Sequence, residues 1–472
     1  MSETPVYAAG LGEDVPTWVT AGARYVAEWI RYQLRASQQP GCAMAMAYRG
    51  AAVLDVTAGV ADSARDIALA PDHLFRMASH SKAFTAAAIL LLCERRLLSL
   101  DDPIGLHVEA LDLQIANATV RQLLSHQAGI MRDGPGYGSL RQPFPDDAML
   151  RTLCGADPVY PGGTTGKYSN LGYGLLGLLI EAVTKERYDD WLQREVIDAA
   201  GLKNSFANAT GIRPDRLARG HSEPVLLGRR QTWPSDQDID ALDPAFGIVS
   251  TPSDLCRFFA QLDPDAEASL LTRESRLEMM HDRWEDPVGP EPRSYGLGVT
   301  KGLSGGAHWF GHIGGFIGTM SRTIVVPRDG LAISVVVNAQ DGRAPAWTDG
   351  ALRIMRWFKT ACTPPVHPSE WQGRWWNAWG VVDLVPAAAQ VVLANPAQLD
   401  PFAFAPRVER IEGDHGVIGH CSAFQHPGEK VSLVRGSDGG VTGLDLAGEL
   451  WLPEDVYAAE LACGAERWEA TT

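Results

Sequence analysis

Phe75-Arg76-Met77-Ala78-Ser79-His80-Ser81-Lys82, running on into Ala83–Cys93, decides how this chain is read. Ala and Leu dominate from Ala83 to Leu98, a stretch too long for a strand, so it predicts a buried helix opening at Ser79. A serine at a helix start and a lysine three residues on share one face, about one turn apart. Backbone N–H groups and the helix dipole at that end favour a developing oxyanion. A desolvated lysine can be uncharged and accept the hydroxyl proton. Alone, S-x-x-K is a weak signal, and a capping serine beside a solvated lysine would also explain it. The apolar run argues against that, because a solvated lysine prefers a polar face. Only seven of the 41 basic residues are lysine, and of the two basic types only lysine gives up its proton at usable pH.

Two more patterns lie downstream. Tyr168-Ser169-Asn170 follows Pro161-Gly162-Gly163 and precedes the helical run Leu171–Thr184. A tyrosine near a cation can carry a proton from the serine to a leaving group. Asn170 offers both an amide donor and an acceptor. Taken alone, Tyr168 could equally be a core aromatic and Asn170 a helix cap. Gly311-His312-Ile313-Gly314-Gly315 lies between strand-like runs. Small residues there let a substrate run along a strand edge, and the Gly315 N–H could complete an oxyanion hole with that of Ser79. A glycine-rich hairpin turn is the plainer reading of that segment.

The rest of the chain supplies the frame. Residues 16–37 place Val19, Ala23, Val26, Ile30 and Leu34 at helical spacing, predicting an amphipathic first helix. Cys42–Tyr48 and Ala52–Ala58, broken by Arg49-Gly50, predict a hairpin. Helical patterns fill residues 100–290: Val120–His126, Leu171–Thr184, Tyr188–Ala199 and Ser253–Gln261. The period then changes to β over Ser294–Lys301, Ala307–Gly311, Ile317–Val326 and Leu331–Val337, before a last helix at Pro345–Thr360. This order predicts an α/β (α+β) fold, an antiparallel sheet flanked by helices and interrupted by a helical insertion. Residues 1–362 would form that domain, with sheet regions at about 1–75 and 290–362 and the helical region at about 76–289. After Thr363-Pro364-Pro365, residues 363–472 hold six of the 14 tryptophans in short alternating segments, which predicts a small β-domain, barrel-like in form.

Taken together, the three patterns change the reading. The order S-x-x-K, Y-x-N, H-x-G resembles the class C β-lactamase and serine D-peptidase family, which also holds carboxylesterases, D-aminopeptidases and acyltransferases. Leu123-Leu124-Ser125-His126-Gln127-Ala128-Gly129, Tyr168–Tyr173 and Gly247–Leu255 also look like family signatures. The resemblance covers roughly residues 20–360. It implies that Ser79 forms an acyl-enzyme, that Lys82 and Tyr168 shuttle protons, and that Asn170, His312, Gly314 and Gly315 hold the substrate. The lysine, threonine and hydroxyl residue usual in the third β-lactamase motif are here His312, Ile313 and Gly315. A histidine of ordinary pKa is mostly neutral at pH 7, so the grip on a substrate carboxylate is weaker. Ester or amide substrates, in the manner of an esterase or a D-amino-acid amidase or peptidase, therefore fit better than β-lactams.

Composition narrows the rest. The net charge is -16 with no basic run, which argues against nucleic acid and anionic membranes as partners. No apolar run is long enough to span a bilayer. Residues 1–16 lack the basic and apolar regions of a signal peptide. The seven cysteines, at 42, 93, 154, 256, 362, 421 and 463, show no CxxC spacing, so reduced thiols in a cytoplasmic protein are expected. No HExxH or clustered histidines suggest a metal, and no cofactor is expected. The expected partner is a small-molecule acyl substrate, and a homo-oligomer is compatible with the sequence. Gly302-Leu303-Ser304-Gly305-Gly306 matches G-x-S-x-G but lies between strand-like runs rather than at a strand-to-helix turn. Rival readings are an acyltransferase, a true β-lactamase or DD-peptidase, and a non-catalytic binder of acyl ligands; retention of Ser79, Lys82 and Tyr168 together disfavours the last.

Overall fold

The computed structural model describes residues 15–134, 143–225, 227–234, 237–286, 288, 292–361, 370–387, 390–423 and 425–469, without the side chains of 464–469. The predicted boundary at Thr363-Pro364-Pro365 lies outside the described residues. The chain divides into two compact units, one built on Gln38–Asp349 and the other on Gly12–Ser37 together with Gly350–Thr472.

In the first unit a nine-stranded antiparallel sheet is assembled from both ends of the segment. Its strands are β1 (Gly41–Tyr48), β2 (Ala51–Asp62), β3 (Ile67–Ala68), β4 (Trp284–Asp286), β5 (Arg293–Tyr295), β6 (Thr300–Ser304), β7 (Ala307–Phe316), β8 (Thr319–Val326) and β9 (Leu331–Val337). They lie in the order β3-β2-β1-β9-β8-β7-β6-β5-β4. The predicted first hairpin is present, and Arg49 and Gly50 both take positive φ (48° and 79°) as its tight turn requires. Two predictions need correction. The run read as one strand over Ser294–Lys301 is two, split where the Gly296 N–H donates to Val299 O (2.9 Å) around Gly298 (φ 73°). The Gly311–Gly315 segment is not a turn: β7 runs straight through it, and the chain reverses only at Ile317-Gly318, where Gly318 has φ 75°. Only glycine reaches that conformation without strain.

The helices follow from their patterns. Among them are α1 (Thr17–Ala36), α2 (Ser81–Glu94), α3 (Asn170–Thr184), α4 (Asp243–Phe246), α5 (Pro252–Gln261) and α6 (Ala344–Ala361). Every residue of α2 from Ser81 to Leu92 is buried, as an Ala- and Leu-rich helix that is apolar all round must be. It starts two residues later than predicted, after a 3-10 turn over Ala78–His80, and ends at Glu94. Helix α5 lies on β1, β8 and β9, and its Cys256 thiol donates to Ala45 O at 3.4 Å. Glycines bring α3 close to the chain before and within α4: a Cβ on Gly174 would lie 2.9 Å from Ala241 O, and one on Gly177 2.4 Å from Pro244 Cγ. That approach fixes α4 over α2.

In the second unit, β10 (Gly373–Asn377), β11 (Gly380–Ala387), β12 (Gln390–Ala394), β13 (Arg407–Glu412), β14 (His415–Ile418), β15 (Lys430–Arg435), β16 (Val441–Leu446) and β17 (Glu449–Trp451) pair in sequence order. Trp376 and Leu452 exchange backbone hydrogen bonds of 2.8 Å each way, joining the first strand to the last. The meander is thus closed, which removes its edges. Trp371, Trp375, Val391, Val408, Val431, Leu444 and Trp451 are among its core. Helix α1 belongs here because its polar side chains dock on this unit. Tyr25 Oη donates to Asp383 Oδ2 (3.0 Å), Trp29 Nε1 to Gln398 O (3.1 Å) and Gln33 Nε2 to Pro396 O (2.7 Å). From α6, Trp357 stacks on Phe402 with centroids 3.8 Å apart. Among the described residues no helix is long and apolar enough to cross a membrane.

Candidate active site

The turn that carries Ser79 is held from three sides. Phe75 and Arg76 pair antiparallel with Ser250 and Val249, so two stretches singled out in the sequence meet as one short ribbon. The Met77 N–H donates to Ile248 O (2.9 Å); Ser81 Oγ donates to Ala78 O (2.7 Å) and accepts from the Ile248 N–H (3.0 Å). Ala78 itself sits at φ 48°, a left-handed conformation that costs an alanine about 1–3 kcal/mol and that only such surroundings can impose. On the third side is β7. A Cβ on Gly314 would lie 2.2 Å from Met77 O, 2.4 Å from Ser321 Oγ and 2.9 Å from His80 Nδ1. The glycine is what lets the strand approach the serine turn.

Lys82 is wholly buried. Its Nζ lies 3.1 Å from Ser79 Oγ and 3.1 Å from Ala245 O, the carbonyl that α4 presents. Three rings surround the amine, with centroids 4.9 Å (Tyr168), 5.0 Å (Phe246) and 5.4 Å (Tyr173) from Nζ. Burial holds this amine well below the usual lysine value; Asp133 opposes the fall and Arg132 adds to it. Because a carbonyl can only accept, Ala245 O takes one N–H of the amine, and the second contact aims the amine at the Ser79 hydroxyl.

Tyr168 is half-buried, between Lys82 and the ring of His126, whose centroid is 4.1 Å away. The Arg132 guanidinium lies 5.6 Å from the centroid of the same ring. Asn170 is the first residue of α3, not its cap: Ser169 caps the helix, its Oγ accepting from the Gly172 N–H at 3.0 Å. The Asn170 N–H donates to Arg132 O (2.8 Å) and its Nδ2 to Asp133 Oδ1. Its Oδ1 is buried without a partner among the described residues. Asp133 is also paired with Arg132 at 3.1 Å.

Three histidines near the site, His312, His80 and His126, bond to neighbouring groups of the protein. His312 Nδ1 faces Ile313 O at 2.7 Å and so carries the ring proton, while Nε2 accepts from the Tyr295 hydroxyl at 3.2 Å. Burial, with His80 and Lys82 nearby, drives its pKa well below the ordinary value. Both nitrogens of the third-motif histidine are thus engaged inside the protein, with no donor to spare for a substrate anion. His80 bonds Met77 O (2.9 Å) and Thr323 Oγ1 (3.0 Å), and burial lowers its pKa to about 4. His126 accepts the Ser169 N–H at Nδ1 (3.1 Å). Gly315, next along β7, has open space beside it: a Cβ there would meet nothing nearer than Met320 Sδ at 3.4 Å.

Ser79, Lys82 and Tyr168 thus come together, with Gly314 packed on the serine turn. The rival serine does not join them, since Ser304 ends a hairpin strand and bonds Asp349 Oδ1 at 2.8 Å. Sequence reasoning missed Asp133, Tyr295 and Ala245. Ala245 acts through a main-chain carbonyl, which no residue type announces. Nothing local marks the other two as neighbours of residues 37 positions or 17 positions away. Among the described residues no group of His, Cys, Asp and Glu is arranged to hold a metal ion.

Comparison with known proteins agrees with this fold. The sequence model of the family described as Beta-lactamase matches residues 26–354. Protein flp of Staphylococcus aureus strain COL is 24% identical over 328 residues, covering 67% of this chain and 63% of that protein. The chain thus spans less than two thirds of the length of this relative. Among solved structures, the octameric penicillin-binding protein homologue from Pyrococcus abyssi superposes with a TM-score of 0.63 at 21% identity, covering 91% of this chain and 99% of that one. The D-stereospecific amidohydrolase from Streptomyces sp. gives a TM-score of 0.57 at 25% identity, covering 67% and 94%.

Proposed function

We propose that this chain, which belongs to the Beta-lactamase family, is a serine hydrolase that forms an acyl-enzyme on Ser79 with ester or amide substrates. One observation carries the reading: a fully buried amine, held below its ordinary pKa, lies 3.1 Å from the Ser79 hydroxyl with its other contact on a carbonyl. Desolvation disfavours the charged form of that amine, and an uncharged lysine there is a base aimed at a nucleophile.

The steps follow from the groups present. Lys82 Nζ takes the Ser79 proton as Oγ attacks the acyl carbonyl. The oxyanion that forms is held by the N–H groups of Ser79 and Gly315, where each donor is worth about 2.7–4 kcal/mol of barrier. Tyr168, beside the ammonium now on Lys82, passes a proton to the leaving group. General acid–base help of this kind contributes about 10²–10⁴-fold. Water then attacks the acyl-enzyme through the reverse transfers. Asn170, whose Oδ1 has no partner among the described residues, orients the acyl chain.

Substrate class follows from what His312 cannot do. Its two nitrogens are spent on Ile313 O and Tyr295, and Arg132 is tied to Asp133. A substrate that depends on a carboxylate grip at the third motif is poorly served. Esters and amides without that carboxylate fit better, and a D-stereospecific amidohydrolase is among the structures of similar fold.

The test is a chromogenic aryl ester followed by intact mass. The expected result is a burst of product and an acyl adduct on Ser79, absent in Ser79→Ala and nearly absent in Lys82→Arg, whose guanidinium cannot act as a base. Near-normal turnover by Lys82→Arg would exclude the proton path.

A further inference from the structure

We propose that His126 is a positioning residue for Tyr168: it grips the backbone on both sides of the phenol and covers its ring, holding the hydroxyl where it can protonate a departing group. The proposal rests on the reading of Tyr168 as the proton carrier.

His126 follows the short helix Val120–Leu124 and takes φ 59°. That conformation is costly for a histidine, so something must be gained by it. What it gains is a double contact with one segment. The Lys167 N–H donates to His126 O at 2.7 Å, and the Ser169 N–H donates to His126 Nδ1 at 3.1 Å. Residues 167 and 169 flank Tyr168, so a single histidine fixes the peptide before and after the phenol. Its ring also lies on that of Tyr168, centroids 4.1 Å apart and tilted by 37°. Tyr295 and Tyr173 hold the imidazole in turn, at 4.7 Å and 5.1 Å.

The ring must be neutral to serve. Protonating Nδ1 would convert the acceptor of the Ser169 N–H into a second donor and break the grip. Burial, with Lys82, His312 and Arg132 nearby, keeps its pKa well below the ordinary histidine value. With Nδ1 accepting, the proton sits on Nε2, which is buried and has no partner among the described residues. The bonds made by Nδ1 and by the main chain are therefore the ones that fix His126 in place.

A positioning role predicts a dependence on leaving group that a merely structural role does not. An alkyl ester needs its alkoxide protonated, whereas a nitrophenyl ester does not. His126→Ala should slow acylation by the alkyl ester about 10²-fold with KM nearly unchanged, and by the nitrophenyl ester less than about threefold. His126→Asn, which tolerates left-handed φ and keeps an acceptor for the Ser169 N–H, should recover most of that loss. In Tyr168→Phe the substitution of His126 should have no further effect on either ester. Equal losses on both esters, or the same fold-loss with and without the Tyr168 hydroxyl, would overturn the proposal. If Tyr168→Phe does not itself discriminate between the esters, it is the reading of Tyr168 that fails. Should His126→Ala not fold, His126→Asn carries the same comparison, a smaller loss confined to the alkyl ester and absent without the phenol.

Discussion

Replacing Lys82 by methionine should change how the stability of this protein depends on pH. The side chain is wholly buried, and its amine is held well below the lysine value chiefly by desolvation. In the unfolded chain the same amine titrates near 10.4. Between the folded value and about 10.4 the unfolded state therefore binds one proton more than the native state. Stability then rises with pH by about 1.4 kcal/mol per unit on account of this group alone. Methionine fills a similar volume and cannot titrate. The difference, wild type minus Lys82→Met, should accordingly grow in favour of wild type as pH rises from about 7.5 to about 9.5, at up to about 1.4 kcal/mol per unit wherever the pH exceeds the folded value. Urea unfolding at several pH values in that interval measures it, and the other titrating groups, common to both proteins, cancel. The constant cost of leaving Ala245 O without its donor shifts the variant curve but not its slope. Parallel curves would mean that Lys82 is protonated in the folded protein, and the proposed base would be lost.

Other consequences can be measured in the same way. Gly314→Ala places a methyl 2.2 Å from Met77 O, backbone that cannot yield without moving Ser79, so a loss of about 1–3 kcal/mol in thermal unfolding and of acylation is expected. Gly315→Ala meets only the flexible Met320 at 3.4 Å, and its stability should stay within about 0.5 kcal/mol of wild type; equal losses at the two glycines would contradict the packing described. His80, held at about 4 by burial, is neutral when folded but protonated when unfolded below about 6.5. Its contribution is therefore complete above that value and is lost as pH falls, by about 3 kcal/mol down to pH 4. His80→Asn should flatten the acid limb by that amount, and an unchanged limb would show that the imidazole is not neutral in the native state.

Much of this was legible before any coordinates. The Ala- and Leu-rich run after Ser79 could only be a buried helix, and a lysine at its first turn had to come off water. The change from helical to alternating period near residue 290 showed where the sheet resumes. The order of S-x-x-K, Y-x-N and H-x-G identified the family, because each pattern is local and its spacing is set by one turn of helix or one stretch of strand. Partners far apart in the chain were not legible. That β7 runs unbroken through Gly311–Gly315 depended on its pairing with β8 residue by residue, from Phe310 opposite Val325 to Phe316 opposite Thr319. The docking of α1 depended on Asp383, Pro396 and Gln398, more than 350 positions away.

Residue types in local order determined the fold class and pointed to the proposed nucleophile and its proposed base. Tertiary structure alone decided that Ala245 turns its carbonyl to Lys82, that His312 spends both nitrogens inward, and that His126 closes on either side of Tyr168. The reason is physical. A periodic pattern is written into neighbouring residues, whereas the direction of a carbonyl or the tautomer of a ring depends on which distant atoms the packed core brings to it.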